Sequence, residues 1–188
     1  SYFSAGEQAK REASGELSPV ELVGNALDRI SEVNDSLNCF CCVWDDEARA
    51  AAQRAADAVA RGDDLGVLHG VPIALKDTTP TAGHTTTLGS YSHQHWVPEH
   101  DAAIASALQR AGALVVGKTN SPEFAHALVT ESPLWGVTGN PWNPDLSTGG
   151  PSAGPGPAVA SRCVAPPQRS AMARSLRIPA PSFRVVGF

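Results

Sequence analysis

The sequence predicts an α/β fold whose sheet is covered on both faces, and three observations carry that prediction. Helical and strand patterns alternate through the first 130 residues. The strand candidates are short apolar runs, as expected where helices lie on both faces of a sheet. Glycine closes the helix candidates at Gly15, Gly62 and Gly112, where a left-handed residue ends a helix at no Cβ cost.

Taken in order, residues 2–13 read as a helix up to Gly15. Ser18-Pro19-Val20-Glu21 is a helix start with a capping serine, a proline in the first turn and a capping-box glutamate. Leu22, Val23, Ala26, Leu27, Ile30 and Val33 follow as an apolar stripe at helical spacing. Leu37–Trp44 is a strand candidate, and Asp45–Arg61 an alanine- and arginine-rich helix. Gly70–Leu75 reads as a buried strand that delivers Lys76 and Asp77 at its end. A polar loop runs through Gly83 and Thr85-Thr86-Thr87. Asp101–Arg110 is an amphipathic helix, Ala113–Val116 a buried strand, and Ser121-Pro122-Glu123 the start of a short helix. Residues 131–157 form a long loop with Trp135, Trp142 and six prolines, a length uncommon in compact domains unless it serves a site.

The chain of 188 residues, with net charge −5, is long enough for one cored domain and lacks the basic clusters that phosphate binding requires. Charge is unevenly spread. All 19 carboxylates lie in residues 1–150, whereas residues 151–188 hold five arginines, no acid and seven of the 15 prolines. Cys39, Cys41 and Cys42 crowd one apolar run without C-x-x-C spacing. They read as buried thiols in a reducing compartment rather than as a metal site. His84, His93, His95 and His100 share one loop, with no acid or cysteine at helical spacing to complete a zinc site. No apolar run approaches the ~20 residues of a membrane helix. Neither nucleic acid nor membrane is an expected partner, and the cytoplasm is the expected location.

Lys76 is one of three lysines among 14 basic residues and ends the apolar run VPIAL. A lysine so placed can be desolvated toward a general base, or be simply solvated or salt-bridged, with Asp77 as a partner. Lys118, in VVGKTN, raises the same question with weaker support. Thr85, Thr86 and Thr87 either line a pocket opposite Lys76 or simply form strand. Trp135 and Trp142 read as packing for the long loop.

GVPIALKD (70–77), AGALVVGKTNSPEFA (111–125), TESPLWGVTGNPWN (130–143), STGG (147–150) and SLRIPA (175–180) occur in that order. Together, from about residue 18 onward, they resemble the amidase signature family. The resemblance implies a mixed, mostly parallel sheet flanked by helices, and hydrolysis of an amide by a Ser–Ser–Lys triad without metal or organic cofactor. It places the base on Lys76 and the nucleophile on Ser175, with oxyanion-hole amides around Met172, Ala173 and Arg174. Such donors are worth roughly 3 kcal/mol each. A serine hydroxyl needs a group to take its proton as it attacks, and a neutral lysine can do so through an intervening hydroxyl.

Residues 151–184 depart from that pattern. The proton-relaying serine falls on Pro151, leaving Ser152 as the adjacent hydroxyl. Arg174 stands where the family has glycine, Pro166-Pro167 falls where it runs a strand, and Phe183 and Arg184 replace its later cysteine and glycine. The expected partner is a small-molecule amide. The chain reads as an N-terminal portion of one domain, an incomplete sheet whose open edges favour homo-oligomers. Two alternatives to a free-standing amidase remain: a glutaminase-type subunit serving aminoacyl-tRNA amidation, and a non-catalytic remnant lacking the relay hydroxyl.

Overall fold

The computed structural model describes residues 3–143, 146, 148–150 and 154–165. Two helices open the chain. Helix α1 (Ala5–Ala13) is capped by the Ser4 side chain, which accepts from the Glu7 N–H. Helix α2 (Pro19–Leu37) is capped by Ser18, with Pro19 in its first turn. The predicted stripe is its inner face: Leu22, Val23, Ala26, Leu27 and Ile30 are buried, and Val33 packs against the core they enter. Helix α3 (Asp45–Arg61) ends at Gly62, whose φ of 73° is left-handed.

Strands β1 (Phe40–Val43), β2 (Pro72–Lys76) and β3 (Leu114–Thr119) form one sheet in the order β1-β3-β2. The central strand β3 runs antiparallel to β1 and parallel to β2, so the sheet is mixed. Helix α4 (Ala103–Arg110) lies on the crossover from β2 to β3. Alternate residues of β2 face opposite ways, and they enter different cores. Ala74 joins Val23, Leu27, Ile30, Ala48, Ala52 and Val116. Ile73 joins Ala9 of α1, Val71 and Ala113, with Leu108 of α4 against them. Helices thus cover both faces, as the apolar runs predict.

Four expectations are corrected. The strand proposed over Leu37–Trp44 is two elements: α2 continues to Leu37, and Asn38, at φ 45°, turns the chain into β1. Strand β3 extends past Val116 to Thr119 and carries Lys118 within it. At Ser121-Pro122-Glu123 the short helix is not α-helical. A single 3₁₀ turn spans Glu123–Ala125, with Phe124 and Ala125 at φ 50° and 56°. The long loop contains a hairpin, β4 (Glu131–Ser132) with β5 (Gly136–Val137), and then helix α5 (Pro155–Ala160). Pro155 and Pro157 occupy α5's first turn, where the missing N–H groups have no intrahelical partner to lose. Pro166-Pro167 lies outside the described residues.

Helix α5 is docked. Ala158, with Cys163 and Val164 beyond it, enters the Ala74 core. The Ser161 carbonyl accepts from Arg29 Nε at 2.9 Å.

Candidate active site

Strand β2 is buried along its whole length. The strand ends on Lys76, 0% exposed, whose register partner is Thr119 of β3. Burial lowers the Lys76 pKa from 10.5 to about 8, because taking an ammonium out of water disfavours its charged form. The pleat sets Lys76 on the Ala74 face of the sheet, the face that α5 covers. Lys118 pairs with Leu75 and therefore leaves by the opposite face.

Asp77, 1% exposed, organises the loop that follows. Its carboxylate accepts from the Thr87 N–H at 3.1 Å, the Thr87 hydroxyl, the Gly89 N–H at 3.2 Å and the Trp135 indole at 3.4 Å. Thr86 accepts from Lys118 Nζ. Neither threonine is in a strand, so these two serve as polar anchors for buried charges. Trp135 combines packing with indole hydrogen bonds to Thr87, at 2.8 Å, and Asp77. Trp142 is exposed.

The glycine stretch is held at both flanks. Gly149 and Gly150 have φ of 60° and 74°, left-handed values that favour glycine. The Gly150 N–H donates to the Leu128 carbonyl, and the Thr130 hydroxyl donates to the Gly150 carbonyl at 3.2 Å. Past the stretch, a Cβ on Gly154 would collide with the Asn120 backbone. Asn120 directly follows Thr119, the partner of Lys76. Both flanks are therefore fixed, and the second sits at the strand end that presents the lysine. Asn120 is itself pinned: its side-chain amide donates to Asn38 O at 3.3 Å and to Thr138 Oγ1 at 3.1 Å.

Of the predicted site residues, Lys76 lies buried at the end of β2. Pro151, Ser152, Met172, Ala173, Arg174 and Ser175 lie outside the described residues. Sequence reasoning undervalued Lys118, which is as buried as Lys76 and has its pKa lowered to about 8. The signal was present, since both lysines follow an apolar run. The anchoring roles of Asn120 and Thr130 had no local signal, because their partners lie far along the chain. His84 stacks on Trp44 at 3.9 Å and meets Glu47 at 3.3 Å, while His93 packs edge-on against Trp96 and Phe124. Among the described residues no three His, Cys, Asp or Glu side chains gather into a metal site, and no helix is long and apolar enough to cross a membrane. Cys39 and Cys163 are buried and Cys41 and Cys42 half-buried, all as free thiols.

The profile of the Amidase family matches residues 21–188. The chain belongs to this family. Among curated amidase relatives, it is 41% identical over 172 residues to a Glutamyl-tRNA(Gln) amidotransferase subunit of Thermosynechococcus vestitus, covering 92% of this chain and 36% of that protein. It is 39% identical over 178 residues to the Indoleacetamide hydrolase of Bradyrhizobium diazoefficiens, covering 95% of this chain and 34% of that protein. The crystal structure of a bacterial aryl acylamidase of the amidase signature family superposes with a TM-score of 0.89 at 30% identity, over 95% of this chain and 37% of that one. The chain thus spans about a third of the length of the relatives it matches.

Proposed function

We propose that the protein hydrolyses a carboxylic amide to an acid and an amine or ammonia through a serine acyl-enzyme. The observation that carries this reading is Lys76: fully buried at the end of β2, its pKa lowered to about 8, on the face where the glycine stretch is anchored. A lysine in that range is partly neutral at physiological pH and can take a proton, which an exposed lysine cannot do efficiently. Ser175 is the nucleophile in this reading, with the amides around Met172, Ala173 and Arg174 as oxyanion donors. Pro151 has no hydroxyl, so proton relay falls to Ser152.

The sign of the pH dependence follows from the base. A lysine acts when deprotonated, so acylation should accelerate as pH rises through about 8 and then level off. The test is a fluorophosphonate labelling rate measured across pH. Labelling should map to Ser175 and be lost in Ser175→Ala and in Lys76→Ala. Adduct formation that survives either substitution removes that residue from its role.

A second reading, favoured by the 41% identity to an amidotransferase component, is a glutaminase-type subunit that supplies ammonia to aminoacyl-tRNA. Glutamine hydrolysis that depends on co-purifying partner chains would select it. Hydrolysis of simple amides by the isolated protein would select the free-standing amidase.

A further inference from the structure

Two buried lysines occupy the same end of the sheet, and the proposed chemistry uses one of them. Lys118 is 0% exposed, and its Nζ donates to the Thr79 carbonyl at 3.1 Å and to the Thr86 hydroxyl. Those acceptors belong to the two arms of the loop that leaves Lys76. On the outgoing arm, the Thr79 N–H donates to the Lys76 carbonyl at 2.8 Å; on the returning arm, the Thr86 N–H donates to the Trp96 carbonyl at 2.9 Å. Asp77 draws in the returning arm through Thr87 and Gly89. Its charge favours the ammonium form of Lys118, against the burial that disfavours it. A buried lysine and a buried carboxylate thus close one loop together, directly after the proposed base.

We propose that Lys118 is a positioning residue for Lys76: it fastens both arms of the 77–89 loop and balances Asp77, so that the strand end is fixed and the carboxylate's field is held away from Lys76. This inference takes from the proposed function only the reading that Lys76 must be neutral to act. Replacing Lys118 by methionine keeps the stem and removes the donors and the charge. Asp77 would then be a buried anion one residue from Lys76, with its balancing cation gone. The loosened loop would also admit water to the strand end. Both changes favour the ammonium form of Lys76.

The chain has three lysines, Lys10, Lys76 and Lys118, so selective ¹³Cε-lysine labelling gives three signals that single substitutions assign. In the unmodified chain Lys76 should titrate near 8. In Lys118→Met its midpoint should rise by about one pH unit. A purely structural role predicts a lower melting temperature with the Lys76 midpoint unchanged, and that result overturns the inference. Should Lys118→Met fail to fold, Thr86→Val decides. It removes one acceptor and leaves the charge, and should raise the midpoint by a few tenths of a unit; no movement overturns the inference equally. The midpoint does not depend on catalysis. A shifted midpoint together with undiminished amide hydrolysis in Lys76→Ala would retire the base assignment and leave the positioning intact.

Discussion

Glu12 offers the sharpest test of the packing. It lies on the inner face of α1 at 0% exposure, and neither carboxyl oxygen has a hydrogen-bond partner among the described residues. A Cβ on Gly70 would strike that carboxyl, so glycine is what makes room for it beside the Val71 and Ile73 core. Nearby charged groups are engaged elsewhere: Arg11 with Glu7 and Glu16, and His69 with the Ala55 carbonyl. Desolvation raises the Glu12 pKa from 4.5 to about 8. A raised carboxyl pKa gives stability that is complete below pH 4.5 and is lost as pH climbs through about 8. The full shift corresponds to about 5 kcal/mol; discounted for solvent screening near α1, the expected loss is about 2–4 kcal/mol. Urea unfolding at pH 5 and pH 8.5 measures it against Glu12→Gln, which does not titrate. The two proteins should be of similar stability at pH 5, and the glutamine variant should be more stable at pH 8.5 by that amount. Parallel stability curves across the window would refute the account of a buried, protonated carboxyl.

The remaining predictions concern glycines and the glycine stretch. Gly154→Ala should destabilise by about 1–3 kcal/mol, because its Cβ meets the Asn120 backbone and backbone yields poorly. Its φ of −65° is open to alanine, so only the collision is tested. Gly24→Ala, inside α2 with nothing nearer than an Arg49 nitrogen at 3.8 Å, should stabilise by about 0.5–1 kcal/mol. Equal urea midpoints for the two variants would contradict both statements. Pro151→Ser should raise the fluorophosphonate labelling rate about 10²-fold or more, the range of a general acid–base contribution. An unchanged rate would mean that Ser152 already performs the relay.

How much of this was legible depended on whether the deciding partner was local. Helices α2 and α3 were readable because Ser18, Pro19 and Gly62 state their ends within a few residues. The apolar run from Leu37 to Trp44 misled because it joins the last buried residue of one element, Leu37, to the first of the next, Phe40. Only the left-handed turn at Asn38 separates them. Helix α5 was invisible for a different reason. The sequence Pro155-Gly156-Pro157-Ala158 has poor intrinsic helix propensity, and burial of all four residues is what makes the helix worthwhile. The two-residue strands β4 and β5 are too short to show any period.

The site was legible in chemistry and illegible in geometry. Lys76 and Lys118 each follow an apolar run, and a window of sequence centred on either looks much the same. The sheet register separates them, and it depends on residues some forty positions apart. With Lys76 opposite Thr119 and Lys118 opposite Leu75, the two ammonium groups leave by different faces. Burial lowers both pKa values to about 8, and Asp77 opposes the lowering at Lys118 alone. Lys118 holds the loop through its bonds to the Thr79 carbonyl and the Thr86 hydroxyl, and Lys76 lies on the face that carries α5.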